Sequence, residues 1–258
     1  MQSSLRRLFA LFAIGGGLVS IPALAVPYGA VVDFSLSPSS IWAYGTAQYA
    51  YGSPLNNIDT LFTPFTETDT GCIHAANVDC WHAGDPNGIP IIAKNMNGGT
   101  INYGAPGAET VVHPVHLLNL SPTADNLGMI SYAIVRWTAP TAGWWNFGGL
   151  FQVIDGQQNP DWGPWDGVSI HVLTNSASLL NSTLTGSLGT NEMFNFNHYL
   201  GAGEHIYFAV GTNGANVHDS TGFNVQIDEA AIPEPGTIGL FAAGLGLLAI
   251  GRLRTRYR

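Results

Sequence analysis

Apolar and polar residues alternate with a period of two along several short segments in the second half of the chain. The clearest segments are residues 145–153, 168–172, 194–197, 206–210 and 223–228. Glycine, asparagine, serine and proline lie between them, as is usual at turns. Because successive side chains of a strand point to opposite faces, this pattern indicates antiparallel sheets with one buried face.

A further segment, residues 130–137, is apolar on both of its faces. A strand that is buried on both faces belongs in the middle of a sheet, so we predict a central strand here. Several short strands in succession are typical of a sandwich or a jelly roll. The predicted fold class is therefore all-β, an antiparallel β-sandwich of jelly-roll-like form.

The first 25 residues have the three parts of a secretory signal peptide. Two arginines precede an apolar stretch at residues 8–21, and Ala-Leu-Ala follows a proline. We expect cleavage after Ala25. One β-sandwich domain would then occupy residues 26–231, with the jelly-roll pattern clearest at 128–230.

The C-terminal segment, residues 232–258, has a different composition from the rest of the chain. A Pro233-Glu234-Pro235 motif precedes an apolar run at residues 237–253, and four arginines lie at its end. Counted from the glycine after the motif, a helix here would be roughly 27 Å long, enough for a bilayer core. We predict a single transmembrane helix with its arginines in the cytoplasm and the preceding domain outside. A buried core helix is the alternative, but it would carry polar positions on one face.

The order of motif, apolar helix and arginine cluster resembles the PEP-CTERM sorting signal of Gram-negative bacteria. The resemblance implies recognition by an exosortase and cleavage near Pro233, Glu234 and Pro235. It also implies a membrane-anchored precursor that later reaches the cell surface or the extracellular space. The implied partners are the secretion machinery and the exosortase, with the inner membrane contacted transiently through the helix.

Charge is distributed unevenly along the chain. Between residues 26 and 251 only Lys94 and Arg136 are basic, against all seventeen acidic side chains, so this stretch carries a formal charge of −15. Such a body repels phosphate backbones, which excludes nucleic acid as a partner. The charge either attracts divalent cations or keeps the protein soluble.

The two cysteines, Cys72 and Cys80, stand in a repeated Cys-x-His pattern with His74 and His82. In an oxidising compartment two cysteines usually pair. Closing this loop would stabilise the fold by roughly 2.6 kcal/mol in the chain-entropy model. The alternative is a zinc site made by all four side chains, although paired cysteines in such sites usually stand closer together. We predict a disulfide and expect both histidines to be ordinary loop residues.

The loop at residues 155–166 is the candidate ligand-binding site. Its functional side chains are Asp155, Asp161, Trp162, Trp165 and Asp166. Oxygen-rich loops can hold Ca²⁺, so these aspartates are candidate calcium ligands and calcium is the one candidate cofactor. An exposed indole can stack on a sugar ring or on a partner protein. The structural alternative is that the aspartates cap turns and the tryptophans cover the edge of the sandwich.

The sequence has no Gly-x-Ser-x-Gly elbow, phosphate-binding loop or His-Glu-x-x-His motif. Ser169 and His171 share one face of a predicted strand, roughly 6.5 to 7 Å apart, without an evident acid partner. We therefore predict a protein without catalytic residues.

Three stretches, at residues 135–143, 166–170 and 200–204, resemble the jelly-roll modules of bacterial surface and carbohydrate-binding proteins. With the sorting tail, the acidic body and the loop tryptophans, this suggests a noncatalytic matrix or adhesion protein that binds exopolysaccharide. Two alternatives stay open: a secreted polysaccharide hydrolase, and a purely structural subunit of a biofilm matrix.

Overall fold

A computed structural model describes residues 27–103, 111–125, 127–155, 166–214 and 218–230. These residues form short and long strands with one four-residue helix between them. In chain order the elements are β1 (Tyr28–Gly29), β2 (Trp42–Ala50), α1 (Ile58–Leu61), β3 (Thr63–Pro64), β4 (Glu67–Thr70), β5 (Val78–His82), β6 (Ile91–Asn95), β7 (Ile101–Tyr103), β8 (Val111–His113), β9 (Leu118–Ser121), β10 (Thr123–Ala124), β11 (Met129–Thr138), β12 (Gly143–Val153), β13 (Val168–Leu173), β14 (Ser178–Leu184), β15 (Asn191–Leu200), β16 (His205–Thr212) and β17 (Thr221–Glu229).

Two antiparallel sheets form the body of the molecule. Sheet A has the strand order β15-β12-β17-β9-β6-β5-β4, with β1 beside β17. Sheet B has the order β14-β13-β16-β11-β2-β3, with β10 beside β11. The strands β7 and β8 form a separate two-stranded sheet, and Val111 of β8 also makes an isolated bridge to Asp155. The predicted all-β, antiparallel fold class is thus confirmed.

The inner faces of the two sheets meet in one aromatic core. Phe147 and Phe223 of sheet A contact Trp137 and Phe208 of sheet B, with ring centroids 5.6 Å apart for Trp137–Phe147 and 5.0 Å for Phe208–Phe223. All four side chains are completely buried. The alternating apolar positions predicted from the sequence supply this core, because they all project to the same face of their strands.

The predicted central strand is confirmed as β11, which lies between β16 and β2 in sheet B. Its odd-numbered side chains enter the core between the sheets. Its even-numbered side chains, such as Tyr132 and Ile134, lie on the outer face of sheet B. Ile58 of α1 and the following Phe62 cover part of that outer face. The strand is apolar on both faces because both are packed.

The strand β17 is an interior strand of sheet A, between β12 and β9. It pairs with β12 along its whole length on one side. On its other side, Thr221–Phe223 pair with β9, and Ile227 and Gln226 pair with Tyr28 and Gly29 of β1. The first and last described strands are therefore neighbours.

Several sequence predictions concern residues outside the described ranges. They are the signal peptide with its cleavage site at Ala25, the Pro233-Glu234-Pro235 motif and the transmembrane helix at 237–253. The proposed domain boundaries at 25/26 and 231/232 stay predictions for the same reason. Within the described ranges, no helix has the length and apolar character needed to span a membrane.

Candidate functional site

A trough runs along the outer face of sheet B, above strand β16. The outward residues of β16 at this point are Ala209 and Gly211, which have small side chains or none. The register places Ser169 and His171 of β13 beside them. Tyr132 of β11 forms the opposite side. The trough exists because two small residues lie between strands that carry larger ones.

Gly211 gives Tyr132 its position. A Cβ atom on Gly211 would lie 2.3 Å from Cε1 of the tyrosine ring, far inside contact distance. The ring therefore lies directly against the β16 backbone. Tyr49 of β2 packs edge-on against the same ring, with centroids 5.9 Å apart. The aromatic side of the trough is held in place from two directions.

Two loops turn the trough into a cleft of about 430 Å³. One wall is residues 51–56, which the Tyr49 hydroxyl fixes by donating to the Asn56 carbonyl over 3.0 Å. The Tyr51 hydroxyl closes one end by donating to the Asn213 carbonyl over 2.9 Å. The other wall is the turn between β13 and β14, including Asn175 and Ser176.

One buried polar atom at the cleft, Nε2 of His171, has no hydrogen-bond partner among the described residues. His171 is 7% exposed. Thr212 borders the cleft through its backbone, because it is paired with Val168 and its side chain faces the core as Val168 does. A buried polar atom left unpaired costs about 1–3 kcal/mol, so atoms of this kind mark a place where a polar ligand is favoured.

The ionisable groups of the cleft are neutral near pH 7. Burial lowers the pKa of His171 to about 4, so its imidazole is uncharged. Burial also raises the pKa of Tyr132, which keeps its phenol protonated, although a hydrogen bond with Ser169 partly offsets this. Among the described residues that line the cleft there is no Asp, Glu, Lys or Arg. An uncharged cleft on an acidic molecule suits a neutral ligand with many hydroxyl groups.

The sequence-predicted loop begins and ends at described residues. Asp155 is buried, and its Oδ2 lies 3.5 Å from Nδ1 of His218. Asp166 accepts a hydrogen bond at its backbone carbonyl from Nδ2 of Asn213 over 2.8 Å. Since Asn213 also lines the cleft, its side chain connects Asp166 to the cleft.

The remaining predicted ligand-binding residues, Asp161, Trp162 and Trp165, lie outside the described ranges. In the part of the chain that the structure describes, no three His, Cys, Asp or Glu side chains are grouped closely enough to hold a metal ion. The calcium hypothesis involves Asp161, so it stays a prediction.

The predicted disulfide between Cys72 and Cys80 is present. It leaves neither thiol available for a metal, so the zinc alternative is wrong. His74 is an exposed loop residue, as expected. The expectation for His82 is wrong, because it is the last residue of β5 and is buried. Pairing with β4 places its Nε2 3.5 Å from Oδ2 of Asp69.

Sequence reasoning found one half of the cleft and missed the other. It placed Ser169 and His171 on a common face but assessed them only as catalytic candidates. It missed Tyr132, which lies inside an apolar segment. The signal that could have found this side of the cleft is the pair of small residues, Ala209 and Gly211, in a strand that is otherwise large and apolar.

The fold and the cleft define an all-β sandwich protein with an uncharged polar cleft on one outer face. Residues 231–256 match the PEP-CTERM protein-sorting motif, which confirms the resemblance seen in the sequence. The motif marks the chain as an exported protein, made as a membrane-anchored precursor and sorted by an exosortase. A search of curated proteins finds no match for the chain.

Solved structures with similarity to the chain include carbohydrate-binding modules. A family 35 module from Paenibacillus barcinonensis is 14% identical over 52% of this chain and 94% of the module, with a TM-score of 0.26. A family 35 module from Clostridium thermocellum is 13% identical over 39% of this chain and 71% of the module, with a TM-score of 0.25. Rabbit GITRL is 12% identical over 39% of this chain and 74% of its own, with a TM-score of 0.26. Similarity at this level carries no argument about the ligand.

Proposed function

We propose that this protein is a noncatalytic component of the bacterial surface or extracellular matrix that binds a neutral exopolysaccharide in the sheet B cleft. The sorting motif accounts for its delivery to the outside. The cleft accounts for the binding. The loop at residues 155–166 extends the same site in this proposal, with Trp162, Trp165 and the three aspartates contributing to binding, because Asp166 adjoins the cleft through Asn213.

The observation that carries the proposal is the uncharged, polar lining of the cleft around Ser169 and His171. Sugars present hydroxyl groups that both donate and accept hydrogen bonds, and their ring faces are apolar enough to pack on aromatic side chains. The neutral His171 offers one nitrogen as an acceptor or a donor, and the Ser169 hydroxyl can do either. Tyr132 supplies an aromatic surface that Gly211 and Tyr49 already hold rigidly. A rigid site loses little entropy on binding.

The described lining of the cleft favours binding without cleavage. Most glycoside hydrolases need two carboxyl groups on either side of the scissile bond. The described lining of the cleft has no carboxylate, and Ser169 and His171 have no acid partner within it. The three loop aspartates are assigned to binding in this proposal, and release of new reducing ends would show that they act in hydrolysis instead.

Affinity electrophoresis of the full-length chain in detergent tests the proposal. Native gels would contain dextran or mannan as neutral polymers, or polygalacturonate as an anionic one. We expect the neutral gels to retard the protein and the anionic gel to leave it unaffected. His171→Ala should weaken retardation roughly tenfold, a loss of about 1.4 kcal/mol.

His74→Ala is the matched control, because His74 is exposed and lies outside the cleft. It should leave retardation unchanged. Equal retardation of the His171→Ala variant and the unmodified chain would contradict the assignment of the cleft. Release of new reducing ends from either neutral polymer would favour the hydrolase alternative instead.

A further inference from the structure

The outer face of sheet A carries an exposed aromatic pair. Trp144 of β12 and Tyr199 of β15 are directly opposed in the strand register. Their rings meet edge to face with centroids 5.9 Å apart. Trp144 is 45% exposed and Tyr199 is 53% exposed. Two large aromatic side chains therefore face solvent side by side.

A row of asparagines continues from this pair along the same two strands. Nδ2 of Asn146 donates to Oδ1 of Asn197 over 2.9 Å and to Oδ1 of Asn195 over 3.1 Å. These bonds fix the orientation of all three amides. Asn195 and Asn197 each keep two N–H donors beyond this contact. We call these three residues the amide ladder.

The choice of asparagine here is unusual for a strand. Asparagine is depleted in strands, where threonine or valine would stabilise the sheet better. β15 nevertheless places Asn191, Asn195 and Asn197 on its outward face, and Asn224 and Gln226 of β17 extend the amide surface. A solvated face needs no such repetition, whereas a binding surface uses every amide as a donor and an acceptor.

Charge decides what this surface can bind. Of the outward side chains on β15, β12 and β17, all within the described chain, only Asp228 is charged. A second copy of the protein would bring together two bodies that each carry a charge of −15. A neutral polymer meets no such repulsion. The surface from Trp144 to Leu150 is roughly 20 Å long, which suits a chain of sugars better than a single one.

We propose that the aromatic pair and the amide ladder form a second glycan-binding surface, and that one molecule bridges two neutral polysaccharide chains. This surface lies on the outer face of sheet A, whereas the cleft lies on the outer face of sheet B, so the two sites face away from each other across the core. The bridging role rests on the proposed function of the cleft. The second surface itself does not depend on it.

Light scattering of the full-length chain in detergent, mixed with soluble dextran or soluble mannan, tests the bridging. A protein with two sites cross-links the polymer, so scattering should rise and then fall as the ratio of protein to polymer increases. The double substitution Trp144→Ala and Tyr199→Ala should abolish this maximum. It should leave retardation in affinity gels within about threefold of the unmodified chain, because the cleft still binds.

Leu127→Ala is the matched control, since Leu127 is 89% exposed and lies on neither site. It should scatter like the unmodified chain. Circular dichroism of the double variant should show the same β-sheet spectrum and a cooperative transition, with a thermal midpoint only a few degrees lower, because the substitutions remove a single aromatic pair.

The outcomes separate the two proposals. A scattering maximum that survives the double substitution, or no maximum with either polymer, overturns the second surface while cleft-dependent retardation still supports the first. A maximum that disappears on Asn195→Ala supports the amide ladder. A fall in the sedimentation coefficient of the double variant without polymer would show that the surface joins two copies of the chain, and this result overturns the glycan assignment.

Discussion

At the scale of single residues, the cleft depends on one missing side chain as well as on the polar and aromatic side chains that line it. Gly211 has no side chain, and this absence lets the Tyr132 ring lie against strand β16. His171 places a polar atom in a buried position where most strands carry apolar ones. Such a site loses stability in exchange for the capacity to bind, since its unpaired nitrogen gains a hydrogen bond when a ligand is present.

Replacing Gly211 with alanine should disturb both stability and binding. The added Cβ overlaps the tyrosine ring, so we expect a loss of about 1–3 kcal/mol in the free energy of unfolding. Retardation by neutral polymers should weaken as well, because Tyr132 must move. Urea unfolding measures the first effect and affinity electrophoresis the second. Gly98→Ala is the control, because no atom lies within 4 Å of its Cβ position. Unchanged stability of the Gly211 variant would contradict the described packing.

Two of the buried histidines, His113 and His171, should make the protein sensitive to mild acid. Burial lowers the pKa of both imidazoles to about 4, from the ordinary histidine value of 6.5. Between these values the unfolded chain takes up protons that the folded chain does not, so acid favours unfolding. The contribution of these histidines to the free energy of unfolding is fully present above pH 6.5. It falls as the pH drops toward 4, by roughly 1.4 kcal/mol per pH unit for each histidine.

Substitution of His171 with glutamine tests this dependence. Urea midpoints measured from pH 7 to pH 5 should fall less steeply in the variant, because only His113 and the partly buried His205, whose pKa burial also lowers, then contribute. The exposed His74 provides the comparison, and His74→Gln should keep the full slope. An equal slope in all three proteins would show that His171 does not control acid stability.

At the scale of elements, alternation in the sequence predicted β12, β13, β16 and β17 correctly. It could do so because the parity of a strand residue alone decides which face it occupies. The parity of a residue does not identify the neighbouring strand in the sheet, because pairing in a sandwich joins distant parts of the chain. β11, for example, pairs with β2 about ninety positions earlier.

The cleft could therefore not be predicted from the pattern of apolar and polar residues. Its floor comes from three strands and its walls from residues 51–56 and the turn after β13. Only the register, with Ser169 beside Gly211, brings these parts together. The pair of cysteines was predictable because a short separation in sequence already limits the distance between them. The position of His82 was not, because nothing in its pattern separates a strand end from a loop.

The disulfide should support the outer packing of β5 and β6. Cys72 and Cys80 are completely buried in a small cluster with Ile91 and Tyr103. Substituting both cysteines with serine should lower the free energy of unfolding by about 2–4 kcal/mol, through loss of loop constraint and apolar contacts. A reducing agent should destabilise the unmodified chain and leave the serine variant unaffected. Sensitivity of both proteins to the reducing agent would contradict this account.

At the scale of the whole molecule, a large negative charge surrounds an uncharged site. Between residues 26 and 251 the formal charge is −15. This field repels polyanions at a distance, whereas contacts inside the cleft act on any sugar that enters. The net charge of the molecule and the contacts inside the cleft then both contribute to the selection of neutral over anionic polysaccharides.

Salt should separate these two contributions. Raising sodium chloride from about 10 mM to about 500 mM shortens the screening length from roughly 30 Å to less than 8 Å. Retardation by dextran or mannan should stay within about twofold, because hydrogen bonds and packing dominate there. The difference in retardation between polygalacturonate and the neutral polymers should become smaller at high salt, because the repulsion of the anionic polymer is screened. A large loss of neutral binding in salt would show that charge, and not the cleft, holds the polymer.

The central position of β17 has a consequence for secretion. This strand is the last before the sorting motif, yet it lies between β12 and β9 and closes sheet A from within. A chain crossing the membrane from its N-terminus cannot complete the sheet until residue 229 has emerged, and the sorting motif follows directly behind that residue. Anchoring of the precursor in the membrane would hold the body at the translocation site while its last strand inserts. A product that stops short of residue 221 would carry an open gap through the middle of the sheet, and extracellular proteases would find that edge accessible.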